Sequence, residues 1–348
     1  MDAASEEIPY ISGDKEGKGN CLLRDGDIII ADTAEDETVG KATEIVNIGT
    51  QKIVSGLHTI ACHPTIEMAH TYLGFYINSE KYHSQLYSLM QGVKVLSISK
   101  SNIEGTVIRY PCFTEQKKIC TLLNLLQNRI AKQHKIIECL KKYKRGLLDK
   151  LLEDNATDVN WRIVKLQDVA TGFGYGMNSA ATSFDGVHKY IRITDIDDDS
   201  RQYLSDNLVS PSDTPDERYK VKTNDILFAR TGASVGKSYF YTPEDGELYF
   251  AGFLIRISVK SEFDSYFIYL NTLTSKYEKW LGLESMRSGQ PGVNAEQYRN
   301  YSFRCPNYQT QVKIASIIKG IDSRIAKERQ LLIKLQSLKS GLLQQLFI

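Results

Sequence analysis

The segment KIASIIKGIDSRIAKERQLLIKLQSLKSGLLQQLF, which starts at Lys313, repeats KICTLLNLLQNRIAKQHKIIECLKKYKRGLLDKLL, which starts at Lys118. The two copies align without a gap, so that Arg129-Ile130-Ala131-Lys132 falls on Arg324-Ile325-Ala326-Lys327. Alternate steps of four and three give Ile119, Leu123, Leu126, Ile130, Gln133, Ile137, Leu140, Lys144, Leu147 and Leu151 in the first copy. The second gives Ile314, Ile318, Ile321, Ile325, Glu328, Leu332, Leu335, Lys339, Leu342 and Leu346. Both seams are apolar except at the same two places, and a 3.5-residue period held this long is the coiled-coil pattern. At 1.5 Å per residue each helix is roughly 55 Å long, which suits a spacer.

The segments preceding the helices also repeat. DGDIIIADTAEDETVGK matches TNDILFARTGASVGK, with Asp27-Ile28 on Asp225-Ile226 and Val39-Gly40-Lys41 on Val235-Gly236-Lys237. A β-rich run, an aromatic helical stretch, a Gly/Gln loop (MQGVKVLS; MRSGQPGVN) and a short strand ending at Pro111 or Pro306 come next in each half. Short, alternating, turn-bounded strands imply an α+β fold with a mixed, mostly antiparallel sheet. The expected division is a first globule at 1–113, a helix at 114–153, a second globule at 154–309 and a helix at 310–348. Trp161 to Asp198 finds no partner in the first half, so either the natural start lies upstream of Met1 or the first globule lacks its leading strands.

Charge separates the parts. Residues 114–152 carry a net +7 and residues 310–348 a net +5, leaving −11 for the globules of a chain whose total is +1. Acidic globules argue against non-specific coating of nucleic acid, and any DNA reading falls to local basic loops. Six scattered cysteines without C-x-x-C, no signal peptide in MDAASEEIPY and no apolar run near 18 residues point to free thiols, a cytosolic setting and no membrane association.

Several motifs invite catalytic readings. TGASVGKS, from Thr231 to Ser238, ends like a phosphate-binding loop, but Thr231 replaces the first glycine and a strand-like aromatic stretch comes next where a helix is required. GFGYG (172–176) looks like the glycine loop of adenosylmethionine-dependent methyltransferases; without βαβ alternation around it, a flexible turn is the better account. His63 and His70 with Cys62 and Glu67 form the one histidine cluster, which has no counterpart in the second half, so no metal site is expected. No nucleophile elbow or repeated carboxylate pair is present, and the chain reads as non-catalytic.

The paired helices ending Lys144-Arg145-Gly146-Leu147-Leu148 and Lys339-Ser340-Gly341-Leu342-Leu343 carry a family resemblance. So do Gln116 and Gln311 after a proline, Trp161-Arg162-Ile163-Val164-Lys165-Leu166, and Asp225-Ile226-Leu227-Phe228-Ala229-Arg230-Thr231-Gly232. The chain resembles the specificity subunit of type I restriction-modification enzymes, which are prokaryotic and cytoplasmic. The resemblance implies two similar α/β target-recognition domains separated by two long helices in an antiparallel coiled coil, each domain reading half of a bipartite double-stranded DNA site. It implies two methylation subunits and a motor-nuclease subunit as partners, with adenosylmethionine, ATP and magnesium on those subunits and no cofactor on this chain. A coiled-coil adaptor without DNA contact is the alternative.

For base and phosphate contacts the expected residues are Arg230, Ser234 and Lys237, then Arg287, Ser288, Gln290 and Asn294 in the Gly/Gln loop. Thr33, Lys41, Gln91 and Lys94 are their first-domain equivalents. Arginine can bond guanine in bidentate fashion, asparagine and glutamine adenine, while lysine and serine mostly hold phosphates. In an antiparallel pair of helices Gln133 should face Glu328 and fix the register.

Overall fold

The computed structural model describes residues 22–35, 38–92, 95–153, 161–286 and 290–347, together with Ala3 and Pro9. Two compact units divide the chain. One takes residues 1–136 and 328–348, the other residues 137–327. Each therefore combines a globule with parts of both long helices, which run from Phe113–Leu152 and Tyr308–Leu346.

In the first unit the sheet has strand Ile28–Ala31 at its centre, paired antiparallel with Ala42–Glu44 and Thr59–Cys62. Burial alternates along the central strand, with Ile28 and Ile30 closed off by the helices Tyr72–Ile77 and Glu80–Tyr87. The end of the second long helix completes this core: Leu342, Leu343 and Leu346 pack on it, and the Phe347 ring meets Tyr72 and Tyr76 edge-on at 5.6 and 5.5 Å.

The second unit repeats the plan with one more strand. Its sheet runs Ser238–Phe240, Asp225–Ala229, Leu254–Val259, Ala170–Tyr175, all antiparallel, and Arg162–Lys165 pairs with Ser302–Cys305. One parallel pair, Lys189–Ile191 with Leu248–Phe250, makes the fold mixed. Here the closing residues come from the first long helix, whose Leu147, Leu148, Leu151 and Leu152 enter the core with Trp161 and Phe267. The repeated Gly-Leu-Leu motif is thus the anchor that ties the end of each helix into a globule.

None of the seam positions is exposed. Within the first unit Gln133 Nε2 donates to Glu328 Oε2 at 2.5 Å and to the Glu328 carbonyl at 3.1 Å, and Lys339 Nζ donates to Gln127 Oε1. Residue numbers rise on one helix as they fall on the other, so the pairing is antiparallel. Within the second unit the remaining seam lysine, Lys144, reaches Asp322 Oδ1 at 2.6 Å, which gives its charge a partner.

Three local expectations need correction. GFGYG is not a turn: Gly172 to Tyr175 lie in strand Ala170–Tyr175, because Phe173 and Tyr175 alternate with glycines that no neighbour crowds. The stretch before Pro111 forms no strand, whereas its counterpart Ser302–Cys305 does, because that strand has Arg162–Lys165 to pair with. Thirdly, Lys237 is a buried residue rather than a surface contact, its ammonium held by the Ile196 carbonyl and the Asp198 carboxylate.

Candidate nucleic-acid interface

Each globule builds the same hairpin. Asp27 and Asp225, both buried, accept the N–H of Arg24 and Lys222 at 2.8 Å and so turn the chain into the central strand. Burial pushes the Asp225 carboxyl above its ordinary range, offset in part by Ser258 Oγ at 2.5 Å. The hairpin closes through Gly40 N–H to Ala31 O at 2.9 Å in one unit and Gly236 N–H to Ala229 O at 2.8 Å in the other. Both glycines sit at φ near +80°, which glycine alone adopts without strain. A side chain at Gly40 would also strike Leu86, and one at Gly236 would strike Leu281. The chain leaves this turn as strand Ser238–Phe240, so the Gly-Lys-Ser loop lacks the helix N-terminus that phosphate binding needs.

Beyond the central strand, the chain meets the Gly/Gln loop. In the second unit the Arg230 carbonyl accepts from Val293 N–H at 2.9 Å, Gly232 N–H donates to Pro291 O at 3.0 Å, and Thr231 bridges Gly292. Gln290 lies against Gly232, its Nε2 only 3.1 Å from where a Cβ would stand. The Arg230 guanidinium lies 4.9 Å from the centre of the Tyr175 ring, and Tyr175 Oη accepts the N–H of Ala295 at 3.2 Å. Asn294 caps the helix Ala295–Asn300 by accepting from Gln297 N–H at 2.9 Å. Arg230, Gln290 and Asn294 therefore share one end of the sheet, with exposed Phe253 beside them through its carbonyl to Arg230 N–H. An arginine stacked on an aromatic ring keeps its charge and most of its N–H donors available.

Ser234 is half-buried in the hairpin turn and accepts Lys237 N–H through its carbonyl. Lys237 itself is 5% exposed; its ammonium donates to the carbonyl of Ile196 at 2.8 Å and sits 2.5 Å from Asp198 Oδ1. Its donors are occupied by the loop that packs over the hairpin, so it braces the site from within. Its first-unit equivalent Lys41 is exposed. Thr33 pairs with Ser97, and Gln91 exchanges both backbone hydrogen bonds with the same Ser97, at 3.0 and 2.8 Å. Arg287, Ser288 and Lys94 lie outside the described residues. Tyr175 and Phe253 escaped the sequence reading. The signal for Tyr175 is its alternation with glycine and Phe173 in GFGYG, a period of two that marks a strand.

Two buried glutamines hold each globule to its helix in one way. Gln116 accepts from Ala69 N–H and donates to the Pro111 carbonyl, at 3.0 and 2.9 Å; Gln311 accepts from Asp264 N–H and donates to the Pro306 carbonyl, both at 2.9 Å. His63, from the histidine cluster, is 2.5 Å from Asp27 Oδ1, and no group of three or more potential metal ligands occurs among the described residues.

Residues 158–337 match the family described as type I restriction modification DNA specificity domain, which is just over half of the chain. The chain belongs to that family. A chain from a type I restriction-modification assembly, solved in a study of complex assembly and conformational transition, is similar over 100% of this chain and 90% of its own length, with 14% identity and a TM-score of 0.64. The S subunit of the type I restriction-modification system from M. genitalium is similar over 93% of this chain and 83% of its own, with 14% identity and a TM-score of 0.55. The fold is therefore that of a specificity subunit, with two α+β domains and a long-helix linker, and the role of the chain is non-catalytic recognition of DNA targets within a type I system. Among the described residues no helix is long and apolar enough to cross a membrane.

Proposed function

We propose that each globule reads one half of a bipartite double-stranded DNA site, with residues 1–113 and 154–309 as readers and residues 114–153 and 310–348 as spacer helices. The observation that carries this reading is the duplicated junction: the same backbone bonds tie the central strand to the Gly/Gln loop in both globules, while the side chains on it differ. Two diverged readers on one repeated frame suit two different half-sites, since spacing along a duplex is set by rigid protein geometry. In the second globule Arg230 and Gln290 supply base-edge donors and acceptors and Asn294, whose Oδ1 caps a helix, offers its amide donor, with Ser234, Arg287 and Ser288 as further contacts. In the first, Thr33, Lys41, Gln91 and Lys94 are the proposed contacts. The spacer helices dock two methylation subunits, which carry adenosylmethionine, and a motor-nuclease subunit using ATP and magnesium joins for cleavage in the cytoplasm.

Selection from a random duplex pool, by gel shift with and without methylation subunits, tests the assignment. The expected result is a bipartite consensus of fixed spacing. Recovery of sequences without any consensus would refute it. Labelled adenosylmethionine incubated with DNA and this chain alone should show no transfer above background.

A further inference from the structure

The two globules share one backbone position but place opposite charges on it. In the second, the residue after strand Asp225–Ala229 is Arg230: its N–H donates to Phe253 O at 3.0 Å, its carbonyl accepts from Val293 N–H at 2.9 Å, and the next residue, Thr231, bridges Gly292. In the first, the residue after strand Ile28–Ala31 is Asp32: its N–H donates to His58 O at 3.3 Å, its carbonyl accepts from Ile98 N–H at 2.8 Å, and the next residue, Thr33, pairs with Ser97. Three matching contacts make these one site in two copies.

The side chains have different surroundings. Arg230 stacks on Tyr175. Asp32 stands 3.8 Å from His58 Nδ1, and its Oδ1 is buried with no hydrogen-bond partner among the described residues. Asp27, five residues earlier, shows the contrast: its carboxylate is consumed by Arg24 N–H and His63 in shaping the turn. Among the described residues none uses the Asp32 carboxylate in that way, and its side chain keeps 28% of its surface open.

We propose that this position selects a base in each globule, Arg230 taking the N7 and O6 acceptors of guanine and Asp32 taking an exocyclic amine, cytosine N4 or adenine N6. This selection rests on the DNA-reading role assigned to the two globules. An ionised carboxylate only accepts, and the amines of cytosine and adenine are the donors in the major groove. Phosphates repel a carboxylate, so one that reads bases benefits from a neighbour able to carry positive charge. The His58 imidazole, 71% exposed, is that neighbour.

The experiment is selection of bound duplexes from a randomised pool by the full chain with methylation subunits, for wild type, D32N and R230A, each verified by thermal unfolding. D32N should change the preference at a single position of one half-site by about tenfold or more, and leave the other half-site as it was. R230A should relax a guanine in that other half-site. Whether a G·C or an A·T pair stands at the position affected by D32N identifies the amine as cytosine N4 or adenine N6. A preference changed at several positions, or in both half-sites, overturns the proposal. So does a D32N protein that binds every duplex more tightly with unchanged preferences, since Asp32 would then only repel phosphate. If D32N fails to fold, D32E, which keeps the charge but moves it by one methylene, is read against the same outcomes. A wild-type chain that selects no site defeats the DNA-reading assignment and this proposal together, whereas a bipartite site indifferent to D32N defeats this proposal alone.

Discussion

Replacing Gln133 by leucine tests what the polar seam pair does. In the first unit Gln133 is fully buried and Glu328 is 7% exposed. The Gln133 amide donates both to the Glu328 carboxylate and to its main-chain carbonyl, while Gln133 Oε1 is buried without a hydrogen-bond partner among the described residues. Q133L removes a hydrogen bond to a charged group, which is worth about 1.5–3 kcal/mol, and the relief of the unpartnered oxygen returns part of that, for a net loss of about 1–2 kcal/mol. E328L should lose less, because the amide keeps the residue-328 carbonyl as an acceptor. The double variant Q133L/E328L joins the apolar seam and should equal or exceed the wild type, as buried polar pairs replaced by hydrophobic residues commonly do. Guanidinium unfolding monitored by far-ultraviolet circular dichroism gives the midpoints, with the transitions of the two units fitted separately. A Q133L midpoint equal to wild type, or a double variant below the single one, would refute the reasoning.

Cysteines at positions 133 and 328, in a background freed of the native thiols, should crosslink under mild oxidation; a preference of position 133 for either end of the second helix would show a different register. Alanine at Gln311 should destabilise the second unit and alanine at Gln116 the first, each by about 1–3 kcal/mol, because two backbone groups lose their partner; hydrogen exchange would localise the effect. K237A should lower the stability of the second unit by about 1.5–3 kcal/mol by stripping the Ile196 carbonyl and Asp198 of their donor, whereas K41A should leave the first unit unchanged within about 0.5 kcal/mol; thermal unfolding of the two variants checks both. G176A should destabilise the second unit by about 1–3 kcal/mol, because its Cβ would stand 2.1 Å from the Ala251 carbonyl oxygen, and the same unfolding measurement reads the loss.

The sequence alone determined whatever is encoded within a few neighbouring residues. The 3.5-residue period marked both long helices and singled out Gln133 and Glu328 as a pair, because a coiled-coil seam writes its register into every heptad. The duplicated Val-Gly-Lys marked the hairpin, since a turn residue at φ near +80° favours glycine, as at Gly40 and Gly236. The Gly-Leu-Leu ends and the glutamines after proline were visible as repeats, though their tasks were not: the leucines close a core and the glutamines bond backbone groups on a distant helix start. Tertiary structure decided the rest. Lys237 and Lys41 occupy matching places in the sequence, yet the chain near Ile196 and Asp198 packs over one and not the other, so only Lys237 is withdrawn from solvent. GFGYG became a strand because Leu254–Val259 offers it a ladder, and its Tyr175 then came to lie under Arg230. The junction itself joins Arg230 to Val293 and Asp32 to Ile98, pairs separated by more than sixty residues. Local preference cannot specify such a meeting, because it arises only when the sheet, the hairpin and the loop have already packed together.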